Sequence, residues 1–585
     1  MTQDEQLLEQ LMEVFVDLSW AEALPLVLQT TAWASLSRTE SLPVDLTLPR
    51  QMNLSPQEQA DNFRYVQPLI SSHLTSTSWT VDATLLQHLP LLIEKVVTLE
   101  KQGLQKWCAD DVLYWSSEPT TATSAIAPSL ANFLVSLATF DAPDQIYLPW
   151  EKSGQLAARC SRKNIDCWIE SPAPLMVDLV LAQLSGAHPN AHRNDPVLSP
   201  VKLGPGQLKQ FPVSLSILEP AQRYSLKDIE NDPHNRFPEK THSHVVLNVR
   251  HLLAQTRGKI VVAVPNGLLF NAGAERLLRA YLLQKRMIHT VISLPDGLFP
   301  GSSTFNSVLI LDTVKPSDSI RFVKVTEEFM AYGPKKRTDL VNLPQLLRTV
   351  RDRYSNTMAI NVSVSEIPQD DCNLEVGRYL LDEKTSKLSA ALAIQHTTKL
   401  IDHFEIVRAR QYATTAQGVP VQEVQALDLP DYGYVQSAGK DSLFDLSAPK
   451  AQTYFIRRND VLICMKGAVG RVGIVKSAPK SGAGGWVAGQ SLAILRARSS
   501  GHYDPGALMV YLRSPMGQAQ LRRLVVGSSI PTLQGSALKE MEIPTMNIVQ
   551  QGMAIEALEA EASVQWEIDQ LRQKQSRIAL ALWTL

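Results

Sequence analysis

The sequence has little cysteine, almost no net charge and no long apolar run. Its 585 residues include five cysteines, Cys108, Cys160, Cys167, Cys372 and Cys464, whose spacing matches neither a zinc site nor a disulfide framework and favours a reducing cytoplasm. No stretch approaches the ~18 consecutive apolar residues of a membrane span. The acidic, amphipathic N-terminus lacks the basic and apolar regions of a secretory signal. We therefore expect a cytoplasmic protein without membrane contact.

The chain does contain enough apolar material for several folded domains. Hydrophobic residues make up 44% of it and charged residues 19%, which excludes a disordered or fibrous protein. The net charge of −2 hides an asymmetry, because residues 1–120 carry 6 Lys/Arg against 16 Asp/Glu whereas residues 451–540 carry 12 against 3. Such a basic block is typical of a surface that meets nucleic acid, although a solvated basic face has the same composition.

The apolar pattern predicts an α/β protein with added helical and α+β parts. Residues 1–118 have helical periodicity, which predicts an N-terminal helical domain. Residues 119–320 alternate short Val, Ile and Leu runs with helices, which predicts a doubly wound, parallel, Rossmann-like sheet. Residues 321–400 are interpreted as a connector, and 401–546 as a compact domain of strands and turns. The expected strands of the Rossmann-like sheet are IYLPW, DCWIE, LSIL, KIVVAVP, HTVISLP and NSVLILD.

Three further helices are expected. The connector carries one at 343–354 and a short one at 385–399, and the tail 547–585 is predicted to be one long helix. A seam of apolar residues on this tail favours contact with another helix, which lies in a second copy of the chain, within the chain at 385–399, or in a separate partner protein. The seam follows a four-three register with Glu561 and Gln575 as polar interruptions, and consists of Ala557, Val564, Ile568, Leu571, Ile578 and Leu582.

Two passages resemble subunits of type I restriction-modification systems. Lys259–Asp312, with turns Val-Pro-Asn-Gly and Leu-Pro-Asp-Gly, is similar to the second half of the modification subunit, an adenine DNA methyltransferase, and Cys372–Leu380 resembles its closing segment. Residues 459–544, from NDVLICMKGAVGRVG to GSSIPTLQGSALKEMEIP, resemble a target-recognition domain of the specificity subunit. The resemblance implies a modification subunit fused to half a specificity subunit, with DNA binding by 401–546 and a coiled-coil-like helix at its end.

The resemblance also implies a Gly-rich turn for S-adenosylmethionine after the first strand. This turn aligns with Leu148–Gly154, where Ser153 and Gly154 remain and the other residues add bulk and charge. Glu170, at the end of the second strand, is placed to hold ribose hydroxyls or simply to end the strand. We expect no cofactor, with S-adenosylmethionine as the alternative ligand of this turn.

A second family turn, N-P-P-F, receives the flipped base in such enzymes. Here Glu219 replaces Asn, Pro220 is kept, and Ala221 and Gln222 replace the second proline and the aromatic residue. Glu219 could accept a hydrogen bond from an exocyclic amine, but the aromatic platform for the base is missing. The nearest other candidate, 194–197 (Asn-Asp-Pro-Val), lacks a preceding apolar strand. Because both turns are degenerate, the sequence favours a methyltransferase fold that has lost catalysis.

Other catalytic and metal chemistry has little support in the sequence. There is no G-x-x-x-x-G-K-[ST] phosphate loop, and no carboxylate pair followed by E-x-K marks a nuclease. His242 and His244 form one H-x-H in a polar stretch, which is more typical of a surface than of a metal site. We therefore expect no metal.

The turn 466–471, Lys-Gly-Ala-Val-Gly-Arg, is the main candidate for DNA binding. Its glycines and its end residues, Lys466 and Arg471, can bring amides and cations against phosphates, or can form an ordinary hairpin. Gln490 and Ser491 are a polar pair at the start of a strand, with either a binding or a structural role. The other basic candidates are Arg457, Arg458, Lys476, Arg496, Arg498, Arg522 and Arg523.

These observations favour a catalytically inactive, DNA-binding recognition subunit of a bacterial restriction-modification or related antiviral or anti-plasmid defence system. Its expected partners are double-stranded DNA, other subunits of the complex and a second copy of the chain joined through the C-terminal helix. One alternative is an active S-adenosylmethionine-dependent adenine DNA methyltransferase with divergent motifs. The other is a scaffold whose acidic helical domain binds proteins and whose recognition domain no longer touches DNA.

Overall fold

The chain forms two compact units, Met1–Leu380 and Leu381–Leu585, in a computed structural model. Among the residues it describes, no helix is both long and apolar enough to cross a bilayer. The described residues are 3–38, 42–71, 83–104, 114, 125–173, 179–181, 190–204, 206–218, 224–295, 297–299, 305–333, 338–352, 354–381, 388, 392, 395–409, 418–447, 450–526 and 531–580.

The acidic N-terminal segment is helical, as its periodicity predicts. Its buried Leu, Val and Phe side chains belong to the same hydrophobic cluster as the large sheet of the first unit. Trp33 is fully buried there and donates its indole N–H to the carbonyl of Leu46 at 2.8 Å. The boundary expected near residue 118 stays a prediction. The helices are α1 (Gln3–Met12), α2 (Trp20–Arg38), α3 (Leu48–Gln51), α4 (Pro56–Ser71) and α5 (Ala83–Glu100).

A nine-stranded sheet organises the rest of the first unit, in the order β13-β10-β8-β9-β7-β6-β1-β2-β3. All six expected strands are present, and β7 is buried along most of its length, as its Val-rich sequence predicts. The strands are β1 (Gln145–Pro149), β2 (Asp166–Ser171), β3 (Asn190–Arg193), β6 (Phe211–Ile217), β7 (Thr256–Pro265), β8 (Ile288–Ser293), β9 (Phe305–Asp312), β10 (Ser319–Lys324) and β13 (Ala359–Ser363). Two small hairpins pair β4 (Lys202–Gly204) with β5 (Gln207–Leu208), and β11 (Met330–Tyr332) with β12 (Thr338–Leu340).

The sheet is not wholly parallel, which corrects the expectation from the sequence. Strands β1, β2, β3, β6 and β7 run parallel, but β9 lies antiparallel between β7 and β8. The connection from β8 to β9 has 11 residues. This is shorter than the dozen or more residues that a crossover to a parallel neighbour needs, so the chain turns back instead.

Helices cover the sheet, and the predicted closing segment is bound to one of them. The buried guanidinium of Arg279 on α11 donates to the carbonyls of Leu268, Asp371 and Cys372 at 2.7–2.8 Å. The helices are α6 (Pro128–Ala138), α7 (Gln155–Ser161), α8 (Leu226–Glu230), α9 (His244–Gln255), α10 (Gly267–Phe270), α11 (Ala274–Gln284), α12 (Leu343–Arg351) and α13 (Val376–Tyr379).

The segment expected as a connector also extends this sheet. Strand β10 pairs in parallel with β8, and β13 pairs antiparallel with β10. Helix α12 confirms the helix expected at 343–354 and ends three residues earlier. The boundary expected at residue 400 stays a prediction, while the compact units divide between residues 380 and 381.

The second unit combines short sheets with helices. A four-stranded antiparallel sheet has the order β15-β21-β18-β19, and a three-stranded sheet has the order β17-β16-β20. The strands are β14 (Thr397–Lys399), β15 (Phe404–Arg408), β16 (Val419–Val424), β17 (Lys440–Phe444), β18 (Val461–Cys464), β19 (Val472–Ile474), β20 (Trp486–Ala488), β21 (Leu492–Ala497), β22 (Val525–Val526), β23 (Thr532–Leu533) and β24 (Glu542–Pro544). The helices are α14 (Leu400–His403), α15 (Pro505–Arg513), α16 (Pro515–Leu524), α17 (Gly535–Lys539) and α18 (Ile548–Leu580).

The short helix expected at 385–399 is corrected at its C-terminal end. Thr397–Lys399 form β14, which pairs antiparallel with β24. Two consecutive β-branched threonines favour a strand once a partner strand is available. Most of 385–394 lies outside the described residues.

The long C-terminal helix is present, and only its first half contacts the body of the unit. Leu558 is buried against α15, and Glu561 accepts hydrogen bonds from the Arg513 guanidinium and from the Gly433 N–H. Further along, Val564, Leu571 and Ile578 are 57%, 62% and 63% exposed. Leu582 of the predicted seam lies outside the described residues. The seam therefore faces solvent within a single copy of this unit.

Candidate functional site

The point where the strand order reverses lies between β1 and β6. From these neighbours the chain builds outward through β2 and β3 on one side and through β7 on the other. In open α/β sheets ligands bind in the crevice at the carboxyl ends of the strands beside such a reversal. Two loops flank that crevice, the turn after β1 (150–154) and the segment after β6. The predicted base-binding turn, Glu219, Pro220, Ala221 and Gln222, falls in the second loop and lies outside the described residues.

The turn after β1 is tightly folded around two left-handed residues. Trp150 has φ +59° and is buried. Its backbone N–H donates to the carbonyl of Glu170 at 2.7 Å. Gly154 has φ +77° and precedes α7, a conformation for which glycine carries no steric penalty. The structure therefore places Ser153 and Gly154, the two remaining family residues, at the start of α7, and their role in cofactor binding stays a prediction.

The Glu151 carboxylate folds back onto this turn. It is buried and accepts hydrogen bonds from the Ser153 hydroxyl at 3.1 Å and from the backbone amides of Gly154 and Leu156. Burial raises the pKa of Glu151 to about 6, against the opposing effect of these bonds. Backbone amides that could face a bound anion are thus already satisfied by the chain's own carboxylate.

Glu170 lies at the end of β2, where a ribose-binding acid is expected, but its oxygens contact protein groups. It is fully buried and accepts hydrogen bonds from the Tyr147 hydroxyl, the Asn194 side-chain amide and the backbone N–H of Val201. Burial raises the pKa of Glu170 to about 7. Asn194 belongs to the polar loop that the sequence offered as a second base-binding candidate, and this contact gives it a structural role.

A buried polar chain continues from Glu170 across the crevice. Arg236 contacts His251 Nδ1 at 2.8 Å, and His251 Nε2 lies 2.8 Å from the Tyr147 hydroxyl. A guanidinium can only donate, so Nδ1 accepts, Nε2–H donates to Tyr147, and Tyr147 donates to Glu170. Burial and the charge of Arg236 hold the pKa of His251 well below its usual range, which keeps the ring neutral. Sequence analysis missed this hydrogen-bonded network because its residues are far apart in sequence and follow no spacing rule.

In the second unit, the predicted basic turn joins β18 to β19. Gly467 and Gly470 have φ of +82° and +92°, which explains the glycines there. Lys466 is exposed, whereas Arg471 is half-buried and lies 3.5 Å from the carboxylate of Asp431.

The structure brings this turn next to 531–533, in the later part of the stretch that resembles a target-recognition domain. The Gly467 N–H donates to the carbonyl of Pro531 at 2.8 Å, and the Leu533 N–H donates to that of Met465 at 2.7 Å. The Ser491 carbonyl accepts from the Met465 N–H at 2.6 Å, so the pair Gln490 and Ser491 lies at the same end of the sheet. Helix α16, which carries Arg522 and Arg523 in its last turn, leads into β22 beside this stretch.

The remaining basic candidates lie at the other end of the four-stranded sheet. Arg457 and Arg458 precede β18, Lys476 follows β19 and Arg498 follows β21. Because these strands are antiparallel, all four residues lie at the start of β18, whereas Lys466 lies beyond its end. The length of β18, about 13 Å, separates the two groups. Lys476 pairs with Glu559 of α18 at 2.9 Å. The nine predicted residues therefore do not form one surface.

Arg496, predicted as a DNA contact, forms contacts within the protein, and its role in DNA binding stays a prediction. Its guanidinium forms an ion pair with Asp460 at 2.6 Å and donates to the carbonyls of Thr453 and Phe455 at 2.9 and 2.8 Å. The Asp460 side chain is 3% exposed and that of Arg496 13% exposed. These contacts tie β18 and β21 to the preceding loop and leave this guanidinium poorly placed for DNA.

Of the H-x-H pair, His242 precedes helix α9 and His244 is its first residue. His242 Nδ1 lies 3.1 Å from the carbonyl oxygen of Tyr224, so this ring already contacts the protein. Within the described part of the chain, no group of three or more His, Cys, Asp or Glu side chains is arranged to hold a metal ion.

In the comparison with known proteins, one segment of the chain matches a family model. Residues 207–388 match the family model described as N-6 DNA Methylase. The chain is 24% identical over 168 residues to the type I restriction enzyme MpnII methylase subunit of Mycoplasma pneumoniae, covering 28% of this chain and 31% of that protein. It is 29% identical over 140 residues to the MjaVII methylase subunit of Methanocaldococcus jannaschii, covering 23% and 24%. The chain thus spans less than a third of the curated relatives it matches.

A solved structure supports the fold more broadly. The type I restriction-modification methyltransferase subunit from Streptococcus thermophilus superposes with a TM-score of 0.54 at 14% identity, over 65% of this chain and all of that one. The expected mixed α/β methyltransferase-like fold is therefore confirmed, as is similarity to type I modification subunits over the matched segment.

The buried Glu151 carboxylate predicts a pH dependence of stability. Its pKa is about 6 in the folded protein and 4.5 when exposed, so the folded state binds the proton more tightly. Stability therefore falls as pH rises from 4.5 through 6. Glu151→Gln, which cannot ionise, should be more stable than the wild type near pH 8 by up to ~2 kcal/mol and little changed near pH 4. Thermal unfolding of both proteins at the two pH values measures this. The exposed Glu230→Gln is the matched control, and a Glu151→Gln effect that is equal at both pH values would contradict the prediction.

Proposed function

We propose that this chain is a DNA-recognition subunit of a bacterial restriction-modification or related defence system, with a methyltransferase-fold unit joined to one target-recognition domain. The observation that carries the proposal is the junction of turn 466–471 with Pro531–Leu533 at one end of the four-stranded sheet. Two left-handed glycines, an exposed lysine and a polar Gln-Ser pair meet there. Lysine contacts phosphates, and glutamine can read an adenine edge. Similarity to type I methylase subunits supports the setting.

We further propose that the chain does not transfer methyl groups. S-adenosylmethionine, where bound, supplies the methyl group, and the protein supplies turn amides and an acid for the ribose. In this chain Glu151 and protein donors to Glu170 already occupy those groups. Binding of the cofactor in that position requires both carboxylates to change partners.

The alternative of an active adenine methyltransferase rests on the family match. Residues 207–388 include the segment 219–222 and match an N-6 DNA methylase model despite its substitutions. In that case Glu219 would accept a hydrogen bond from the exocyclic amine of a flipped base. A third possibility, a protein-binding scaffold, rests on the acidic N-terminal helices and predicts no DNA affinity.

DNA binding through the turn 466–471 is tested by a charge-removal pair. Lys466→Ala with Arg471→Ala should weaken binding to duplexes of any sequence and reduce the log–log salt slope by roughly 0.9 for each phosphate that the variant no longer neutralises. Arg457→Ala with Arg458→Ala, at the opposite end of the sheet, is the matched control and should retain both affinity and slope. Fluorescence anisotropy with labelled duplex DNA at several salt concentrations measures both. If only the control pair bound DNA more weakly, the DNA interface would lie at the opposite end of the four-stranded sheet. If the wild type did not bind DNA, the result would favour the protein-binding scaffold.

Catalytic inactivity is tested by methyl incorporation. The full chain, incubated with labelled S-adenosylmethionine and mixed duplex DNA, should transfer no methyl group above a no-enzyme background. Calorimetric titration with S-adenosylmethionine in the absence of DNA separates failed binding from failed chemistry. Incorporation that disappears in Glu219→Ala would establish the active alternative.

We also propose that the chain forms a homodimer through α18. A type I specificity subunit, as the resemblance implies, has two recognition domains, and two-fold symmetry would supply the second. The exposed seam of Val564, Ile568, Leu571 and Ile578 supports this contact because water-exposed apolar side chains gain by pairing. Light scattering should give twice the chain mass of 64.8 kDa. Ile568→Glu with Leu571→Glu should give the monomer mass, whereas Gln570→Glu with Gln573→Glu should not. A wild-type mass near 65 kDa at micromolar concentration would refute the dimer.

A further inference from the structure

In the first unit, a cavity lies at the edge of the large sheet opposite the crevice. Its volume is about 660 Å³, within the usual range of roughly 300–1,000 Å³ for small-molecule sites. The floor is a row of residues in direct cross-strand register, Asn361, Arg321, Thr290 and Ile310, on one face of β13, β10, β8 and β9. The C-terminal ends of α6 and α12 border it. We call it the basal cavity.

Its charged groups favour an anion. Lys259, Arg321 and Arg351 line the basal cavity together with one carboxylate, that of Asp352. Asp141, beside the rim, forms an ion pair with Lys259. The pKa of Asp141 lies below its usual range because Lys259 donates to it and Lys259, Lys315 and Arg351 attract it. Cations therefore outnumber carboxylates in this neighbourhood.

Arg321 provides a fixed positive charge in the floor. It is 6% exposed, and the atoms that accept its hydrogen bonds are the carbonyl oxygens of Thr349 and Tyr354 and the amide oxygen of Asn361, at 2.7–3.2 Å. These acceptors are neutral and orient the guanidinium, and the Asp352 carboxylate, which also lines the cavity, is the charge that acts on it. A buried charge held in this way is stabilised further by an anion in the cavity.

The rim adds a flat surface and hydroxyl groups. The Arg351 guanidinium lies 3.6 Å from the centre of the Phe140 ring, which is 56% exposed. A guanidinium stacked on an aromatic ring presents a planar surface suited to a nucleobase. Ser317 and Ser319 also line the cavity, and the Ser317 hydroxyl, which donates to the Ser319 carbonyl at 2.6 Å, can still accept a hydrogen bond from a ribose hydroxyl.

We propose that the basal cavity binds a nucleoside phosphate. Arg321 and Lys259 hold the phosphate, and the stacked pair of Arg351 and Phe140 supports the base. This site is separate from the crevice at the carboxyl ends of the strands, because Lys259 and Arg321 lie toward the amino ends of β7 and β10. The proposal does not depend on methyl transfer or on DNA binding.

Calorimetric titration of the full chain with ATP tests the site, with adenosine and inorganic phosphate as separate probes. ATP should bind saturably and at least roughly tenfold tighter than either probe, because each supplies only half of the contacts. Equal affinity for inorganic phosphate and ATP would overturn the nucleoside assignment. Absence of saturable ATP binding at millimolar concentrations would overturn the whole proposal.

Variants that are expected to change ATP affinity in opposite directions test where ATP binds. Lys259→Ala with Arg351→Ala should weaken ATP binding at least roughly tenfold, whereas Asp141→Asn should tighten it about threefold by removing a competing charge. Lys285→Ala with Arg276→Ala, on α11 or at its C-terminal end and outside the cavity, is the matched control and should leave affinity unchanged. Retained ATP binding in the first pair, or displacement of ATP by S-adenosylmethionine, would place the nucleotide elsewhere and overturn the proposal. Thermal unfolding of each variant without ligand verifies that it is folded.

Discussion

A carboxylate without solvent contact must be met by hydrogen bonds from the protein, and at Glu170 this requirement organises the crevice of the first unit. Tyr147 from β1, Asn194 from the loop after β3 and the Val201 amide converge on it. Tyr147 is in turn fixed by His251 from α9. One acid at the end of β2 thus connects elements from both sides of the strand reversal, and its environment is set by burial.

The same physical reasoning applies to the turn after β1. A cofactor-binding turn exposes amides and an acid that need a partner. In this chain Glu151 accepts hydrogen bonds from two of the amides and protein donors bind Glu170, so both carboxylates have partners within the protein.

In the second unit the strand ends decide which basic residues can act together. Lys466 and Arg471 share one end of the four-stranded sheet, while Arg457 and Arg458 share the other. Arg496 on the neighbouring strand β21 is paired with Asp460. The net positive charge of the basic block in the second unit is therefore larger than the charge of any one surface that could bind DNA. The first half of α18 is held by Leu558 and the Arg513–Glu561 ion pair, and its second half presents an apolar seam to solvent.

The sequence alone determined the elements whose signal is local. Valine-rich runs such as β7, the apolar periodicity of α11 and the long tail helix were all predictable, because burial and periodicity act within a few residues. Only the tertiary structure decided the reversed direction of β9, the strand at Thr397–Lys399 and the partners of Glu170 and Arg496. Each of these depends on which distant residue comes into contact, and a hydrogen bond or strand pairing across about 20 to 150 positions leaves no periodic trace in the chain. The basal cavity is of the same kind, since Lys259, Arg321 and Arg351 are neighbours only once β7, β10 and α12 have packed together.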